Sequence, residues 1–212
     1  MHADDDGIYN LWPTRLLRRT LPGHEAANGL LAELIEQLDD DQSEMTTRYR
    51  EADFLKIEHP AIGWLGQCIN KTVIDYLRAQ GQVYKSEWRL QGWANINRFG
   101  DYHDLHNHPH SYLSGTYYVA VPESTEKLPG RGDRRPSAIS FYDPRAQANM
   151  TAIRDDPQVE AEFTLLPEPG TILLWPSFLH HFVHPNLSRQ NRISISFNVV
   201  LNWRDEYLPE QT

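Results

Sequence analysis

Asp101-Tyr-His-Asp-Leu-His-Asn-His-Pro-His110 runs directly into Ser111-Tyr-Leu-Ser-Gly-Thr-Tyr-Tyr-Val-Ala-Val121. The first half carries four of the chain's ten histidines, His103, His106, His108 and His110. The second half has the aromatic and β-branched content of a strand. Three further histidines, His180, His181 and His184, follow another apolar stretch. Imidazole is the commonest metal-binding side chain, so two histidine clusters separated by a β-rich span point to one metal held between two strands. If 104–108 is extended, Asp104, His106 and His108 project from one face, because strand side chains alternate with period two. His103 and His110 are expected to be ordinary core or surface histidines.

Outward from this stretch the chain reads as β. From Tyr84 the hydrophobic period is two, with Trp88, Leu90, Gly92, Ala94 and Ile96 alternating against Glu87, Arg89, Gln91, Trp93, Asn95 and Asn97. Further strands are expected over 115–121, 138–142, 160–166, 171–175 and 192–201, punctuated by Pro129-Gly-Arg-Gly132 and Pro167-Glu-Pro-Gly170. The charged, Pro- and Gly-bearing loop 122–136 and the segment 146–156 read as surface loops long enough to flap over a mouth.

Before residue 84 the period is helical. Ala27, Leu30, Leu31, Leu34, Ile35 and Leu38 make one apolar stripe over 24–38. Ile62, Leu65, Ile69, Val73, Tyr76 and Leu77 make another over 60–80, opened by Pro60 and stopped by Gly81. Ile8-Tyr-Asn-Leu-Trp-Pro13 is expected as a short edge strand, and 39–51 as an aperiodic polar crossing. Helices followed only by strands predict a mainly β domain with N-terminal helices, a β-barrel or jelly roll. The N-terminal helical layer would occupy 1–83 and the β core 84–212 of a single domain.

Composition narrows the function. The chain has 212 residues, 40% apolar, with a net charge of -9. That is enough for a real core, and the acidic balance argues against a nucleic-acid face. Arg15, Arg18 and Arg19 form the one basic cluster and read as a solvated face. There is no apolar run near the length of a membrane span and no signal-peptide pattern. The one cysteine, Cys68, allows no internal disulfide and reads as buried filler. A cytoplasmic location, no membrane partner and a small-molecule or peptide substrate are therefore expected. Oligomeric state is not legible, a homodimer being one open arrangement.

The second histidine cluster follows the strand Thr171-Ile-Leu-Leu-Trp-Pro176. The last strand alternates without a fault: Ile193, Ile195, Phe197, Val199 and Leu201 on one side, Arg192, Ser194, Ser196 and Asn198 on the other. A guanidinium and a hydroxyl two residues apart are suited to gripping a carboxylate.

His106-x-His108 before Ser114-Gly-Thr-Tyr-Tyr118, Pro176-Ser-x-x-x-His181-x-Val183, and Arg192-x-Ser194 together resemble the iron(II)/2-oxoglutarate-dependent oxygenases. With Phe141-Tyr-Asp-Pro-Arg145 they resemble more narrowly a bacterial branch of that superfamily, over roughly 94–198. The resemblance implies a double-stranded β-helix, the cupin-like form of the same jelly roll, and a dioxygenase that hydroxylates a C–H bond while 2-oxoglutarate is oxidatively decarboxylated to succinate. It makes His106 the first iron ligand, His181 the distal histidine, and Arg192 and Ser194, with Tyr118 on a facing strand, the grip on the co-substrate's distal carboxylate.

The chain departs from the superfamily pattern at His108, which stands where a carboxylate is usual. Either His106, His108 and His181 bind Fe(II) as three imidazoles, the preferred set, or Asp104 supplies the carboxylate. Three neutral ligands leave the site open to zinc and other divalent ions. Two alternatives stand beside the dioxygenase: a cupin-like three-His metalloenzyme that does not use 2-oxoglutarate, and a non-catalytic metal- or ligand-binding jelly roll. Trp93, Asn95, Asp143, Arg145 and Asn198 are candidate substrate contacts.

Overall fold

The computed structural model describes residues 12–41, 54–82, 85–123, 135–145 and 160–202. In chain order these form β1 (Leu17–Thr20), α1 (His24–Asp41), a short 3₁₀ turn (Phe54–Lys56), α2 (Pro60–Ala79), β2 (Trp88–Asn97), β3 (His103–His106), β4 (Leu113–Ala120), β5 (Ile139–Tyr142), β6 (Glu162–Leu165), β7 (Thr171–Pro176), β8 (His181–Val183) and β9 (Arg192–Leu201). The expected edge strand over 8–13, the loop 122–136 and the segment 146–156 fall wholly or mostly outside the described residues.

The strands make two antiparallel sheets, a larger one in the order β1-β7-β4-β9-β2 and a smaller one in the order β3-β8-β5-β6. This is the jelly-roll architecture expected from helices followed by strands. Period two in β4, β7 and β9 decides what each face meets. Leu113, Tyr117, Val119, Ile172, Leu174, Ile193, Ile195, Phe197 and Val199 pack in one cluster with Leu31 and Ile35 of α1 and with Ile62, Leu65, Ile69 and Val73 of α2. The alternate residues Tyr118, Leu173 and Trp175 pack with Ile139, Phe141, Leu165 and Val183 in a second cluster, between the sheets.

The helices are amphipathic for the reason their spacing predicts. Pro60 opens α2 beside the N-cap His59, whose Nδ1 accepts the Ala61 N–H at 3.2 Å, and Gly81 ends it at φ 79°. All six residues of the α2 stripe are buried, each contributing about 1.5–3 kcal/mol of transfer free energy. In α1, Leu31 and Ile35 are fully buried while Leu30 is exposed, so that stripe is narrower than expected. Cys68 is half-buried on α2, and burial pushes its thiol up.

The basic cluster has a structural use that its composition did not announce. Arg19 lies in β1 and ion-pairs with Asp75 of α2 at 2.8 Å, and Arg15 donates to the Ala79 carbonyl. These contacts tie the first strand to the last turns of α2.

Gly115 explains one glycine of the central motif. It sits in β4 directly opposite Phe197 of β9. A Cβ there would lie 2.3 Å from Phe197 Cζ and 2.6 Å from the Leu173 carbonyl oxygen. The Phe197 ring occupies the space a side chain would need.

Candidate metal centre

The two sheets enclose a cavity of about 880 Å³ whose wall brings together residues from β2, β3, β4, β7, β8 and β9. Into it project His106 from the end of β3, His181 from the start of β8, and His108 from the turn after β3. His106 and His181 face each other across the β3–β8 register. His108 is not part of a strand: the chain leaves β3 after His106, and the His108 N–H donates to the Ser177 carbonyl at 2.9 Å. That bond turns its ring to lie parallel to His181, 7° between planes and 5.3 Å between centroids.

One nitrogen from each of the three rings lies within 4.8 Å of the others. Ligands about 2.1 Å from one ion sit at most about 4.2 Å apart, so small ring rotations suffice to close the set on a metal. Two of the three tautomers are set by backbone carbonyls, which only accept hydrogen bonds. His181 Nδ1–H donates to the Leu179 carbonyl at 3.0 Å, and His106 Nδ1–H to the Asp104 carbonyl at 2.6 Å. Both rings therefore carry their free lone pair on Nε2, the arrangement in which metal-ligating histidines are usually held. His108 stacks on Trp93 at 5.9 Å and donates a ring N–H to Asn198, a contact that by itself favours the charged ring.

Burial, reinforced by the neighbouring His106, holds His108 down to about 4 and His181 to about 3. Both are neutral at pH 7 and ready to donate lone pairs. Asp104 does not join them. It is exposed, and its carboxylate accepts the Leu105 N–H at 2.7 Å.

On the wall of the same cavity lies Arg192. It is 2% exposed, it stands over the Tyr118 ring at 5.1 Å, and a long hydrogen bond reaches Asn97 Oδ1 at 3.4 Å. Tyr118 pairs in register with Ser194. The buried Tyr118 hydroxyl and Arg192 Nε make no well-formed hydrogen bond, and burial raises the Tyr118 phenol against the opposing pull of the Arg192 charge. Among the described residues no carboxylate ion-pairs with Arg192. Asp143 is held by Arg145 at 2.5 Å. A dry, unpaired guanidinium beside an unsatisfied hydroxyl fits a ligand carboxylate.

The sequence profile of the family described as "Putative 2OG-Fe(II) oxygenase" matches residues 91–198, half of the chain. The chain belongs to this family of 2OG-Fe(II) oxygenases. No curated protein matches it in sequence. Solved structures of similar fold include a prolyl-4-hydroxylase from Pseudomonas putida, 12% identical with a TM-score of 0.57 over 89% of this chain and 88% of that one. HygX from Streptomyces hygroscopicus with iron bound is 15% identical, with a TM-score of 0.57 over 90% and 85%. HygX with nickel and 2-oxoglutarate bound gives 13%, 0.55, and 90% and 85%. Fold and family thus agree that this oxygenase is an oxidoreductase, and no helix among its described residues is long and apolar enough to cross a membrane.

The remaining candidates divide. Trp93 and Asn198 line the oxygenase cavity, and Asn95 is buried beside them with Nδ2 donating to Ser196 Oγ at 3.0 Å. Asp143 and Arg145 are spent on each other and are absent from the cavity wall. His180 is exposed. His103, expected to be an ordinary histidine, lines the cavity, as does the exposed His110 at its rim. The reason for His103 is a bulge: its partner is Val183 while His106 pairs with His181, three residues against two, which reverses the parity between them.

Proposed function

We propose that His106, His108 and His181 hold one Fe(II) and that Arg192, Ser194 and Tyr118 hold the distal carboxylate of 2-oxoglutarate, in an oxygenase acting on a small-molecule or peptide substrate. Iron(II) with this co-substrate supplies dioxygen activation coupled to decarboxylation of the 2-oxo acid to succinate. The chain's own part is to bind, orient and exclude water. His106 and His181 are held by carbonyls, so they present one nitrogen each without reorganisation. Trp93 and Asn198 steady His108. Arg192 orients the co-substrate with a planar fork that lysine lacks.

The observation that carries this reading is the pairing, on one cavity wall, of an imidazole triad with a buried cation that no acid of the described chain neutralises. Three protein ligands also favour a catalytic over a structural site, since structural zinc is closed by four. The all-imidazole set keeps a second reading alive, a three-His metalloenzyme that does not use 2-oxoglutarate. One assay separates them: 2-oxoglutarate consumption and succinate formation by the metal-free protein, with and without added Fe(II). Iron-dependent turnover is expected. A protein that binds iron but neither binds nor consumes 2-oxoglutarate leaves the second reading.

A further inference from the structure

Arg192 is not the only group waiting on the cavity wall. His103 lies on the same wall, its ring 6.4 Å from that of His106, yet it is not part of the three-nitrogen cluster. Its Nε2 is 3.3 Å from Asn97 Nδ2, and Asn97 Oδ1 accepts from Arg192 Nη1 at 3.4 Å. Asn97 and Arg192 are direct partners in the β2–β9 register, and the Asn97 carbonyl is itself held by Asn186 Nδ2 at 2.8 Å.

The chemistry of this chain of contacts has one solution. A guanidinium has only donors, so the Asn97 amide must turn its oxygen to Arg192. Its NH₂ then faces His103, which must receive it on an unprotonated Nε2. The proton of the neutral ring is therefore on Nδ1. Among the described residues nothing accepts it, leaving Nδ1–H as the one polar group the ring can offer to whatever fills the cavity. With Nε2 engaged by Asn97, His103 is also withheld from the metal.

We propose that His103 is a co-substrate-binding residue, donating Nδ1–H to a carboxylate oxygen of the 2-oxo acid, and that Asn97 is the positioning residue that fixes both this tautomer and the Arg192 fork. The proposal rests on the co-substrate reading above. It explains why a fourth imidazole is carried beside the triad without closing it.

The test uses the full chain loaded with zinc, a redox-inert stand-in, so that binding is read without turnover. Zinc affinity is measured first, then 2-oxoglutarate affinity by calorimetry, for the parent, His103→Phe, His103→Asn and Asn97→Asp. Loss of one hydrogen bond to a charged group should weaken 2-oxoglutarate binding by His103→Phe on the order of tenfold or more, with zinc affinity unchanged. His103→Asn, whose side-chain NH₂ overlays Nδ1–H, should recover most of it. Asn97→Asp places a carboxylate on Arg192 and should compete the co-substrate out.

A His103→Phe variant that binds 2-oxoglutarate like the parent overturns the proposal and leaves the co-substrate reading intact. So does one that loses zinc instead, which makes His103 a ligand. A parent that binds zinc but no 2-oxoglutarate overturns both. NMR of isotope-labelled histidine nitrogens in the parent needs no variant to fold: an Nδ1–H tautomer that responds to 2-oxoglutarate is expected for the one ring bonded to Asn97, and an Nε2–H tautomer there overturns the assignment.

Discussion

Replacing Arg192 by methionine should move stability and co-substrate binding in opposite directions. In the free protein the guanidinium is 2% exposed and has a long hydrogen bond, to Asn97 Oδ1 at 3.4 Å, and the face of Tyr118 at 5.1 Å. Burying an ion costs several kcal/mol even after relaxation. The Tyr118 face offsets about 2 kcal/mol when desolvated, and a hydrogen bond to a charged group about 1.5–3, the lower figure suiting the length seen here. The balance leaves Arg192→Met more stable than the parent by about 1–2 kcal/mol, within the gain known for replacing buried charges by apolar residues. At this chain length each kcal/mol moves Tm by about 2–4 °C. With 2-oxoglutarate the order should reverse. The variant loses a buried charge pair of roughly 3–5 kcal/mol, about two to four orders of magnitude in affinity. The parent alone then gains about 2.7 kcal/mol at a hundredfold excess over Kd. Urea unfolding of both zinc-loaded proteins, with and without 2-oxoglutarate, measures all four states. A variant clearly less stable than the parent without any co-substrate would show that Arg192 is already paired within the protein, and the carboxylate grip would fall with it.

Burial holds His103 and His108 at about 4 and His181 at about 3, against about 6.5 in the unfolded chain. Between these values only the unfolded state takes up protons, so stability of the metal-free protein should be level near pH 7, fall as pH drops through 6.5, and flatten below about 4, by up to about 2 kcal/mol per ring between pH 7 and 5. Urea midpoints across that range check it, and a level profile would mean the rings are solvated. Gly115→Ala should cost about 1–3 kcal/mol or more, because one clash is with the Leu173 backbone, 2.6 Å away. Thermal unfolding reads it, and a neutral effect would mean that β4 and β9 can separate. His108→Asp should retain Fe(II) binding and His108→Ala weaken it. Equal affinity in all three proteins, by iron titration, would remove His108 from the ligand set.

Elements whose two faces meet different surroundings were legible. β9 is the clearest: the helices bury Ile193, Ile195, Phe197 and Val199, the cavity takes Arg192, Ser194, Ser196 and Asn198, and period two in the sequence states both facts at once. α2 was legible for the same reason, with Pro60 and Gly81 marking its ends. β1 and β8 were not. β8 has three residues, too few for alternation to register, and β1, although as long as β5 and β6, has a single apolar residue, Leu17, beside Arg18, Arg19 and Thr20. β1 is held by pairing with β7 and by the Arg19–Asp75 ion pair, contacts set by residues more than fifty positions away.

The histidine cluster was legible in the sequence and its parity was not. Treating 104–108 as a plain strand put Asp104, His106 and His108 on one face and sent His103 to the other. The turn after His106 undoes the first inference and the bulge between His103 and His106 the second. Two rings three residues apart share the cavity, Asp104 spends a carboxylate oxygen on the Leu105 N–H, and His108 arrives by way of the Ser177 carbonyl. A bulge depends on what the partner strand offers, and β8 is too short to declare itself. The same irregularity that hid His103 leaves Asp104 outside the cluster that His106, His108 and His181 form, and puts an imidazole beside Asn97 on the wall that also carries Arg192. A neutral ligand triad next to an unpaired guanidinium leaves the cavity with an excess of positive character once a divalent metal is bound. A dianionic 2-oxo acid is the partner that such a cavity is best built to take up.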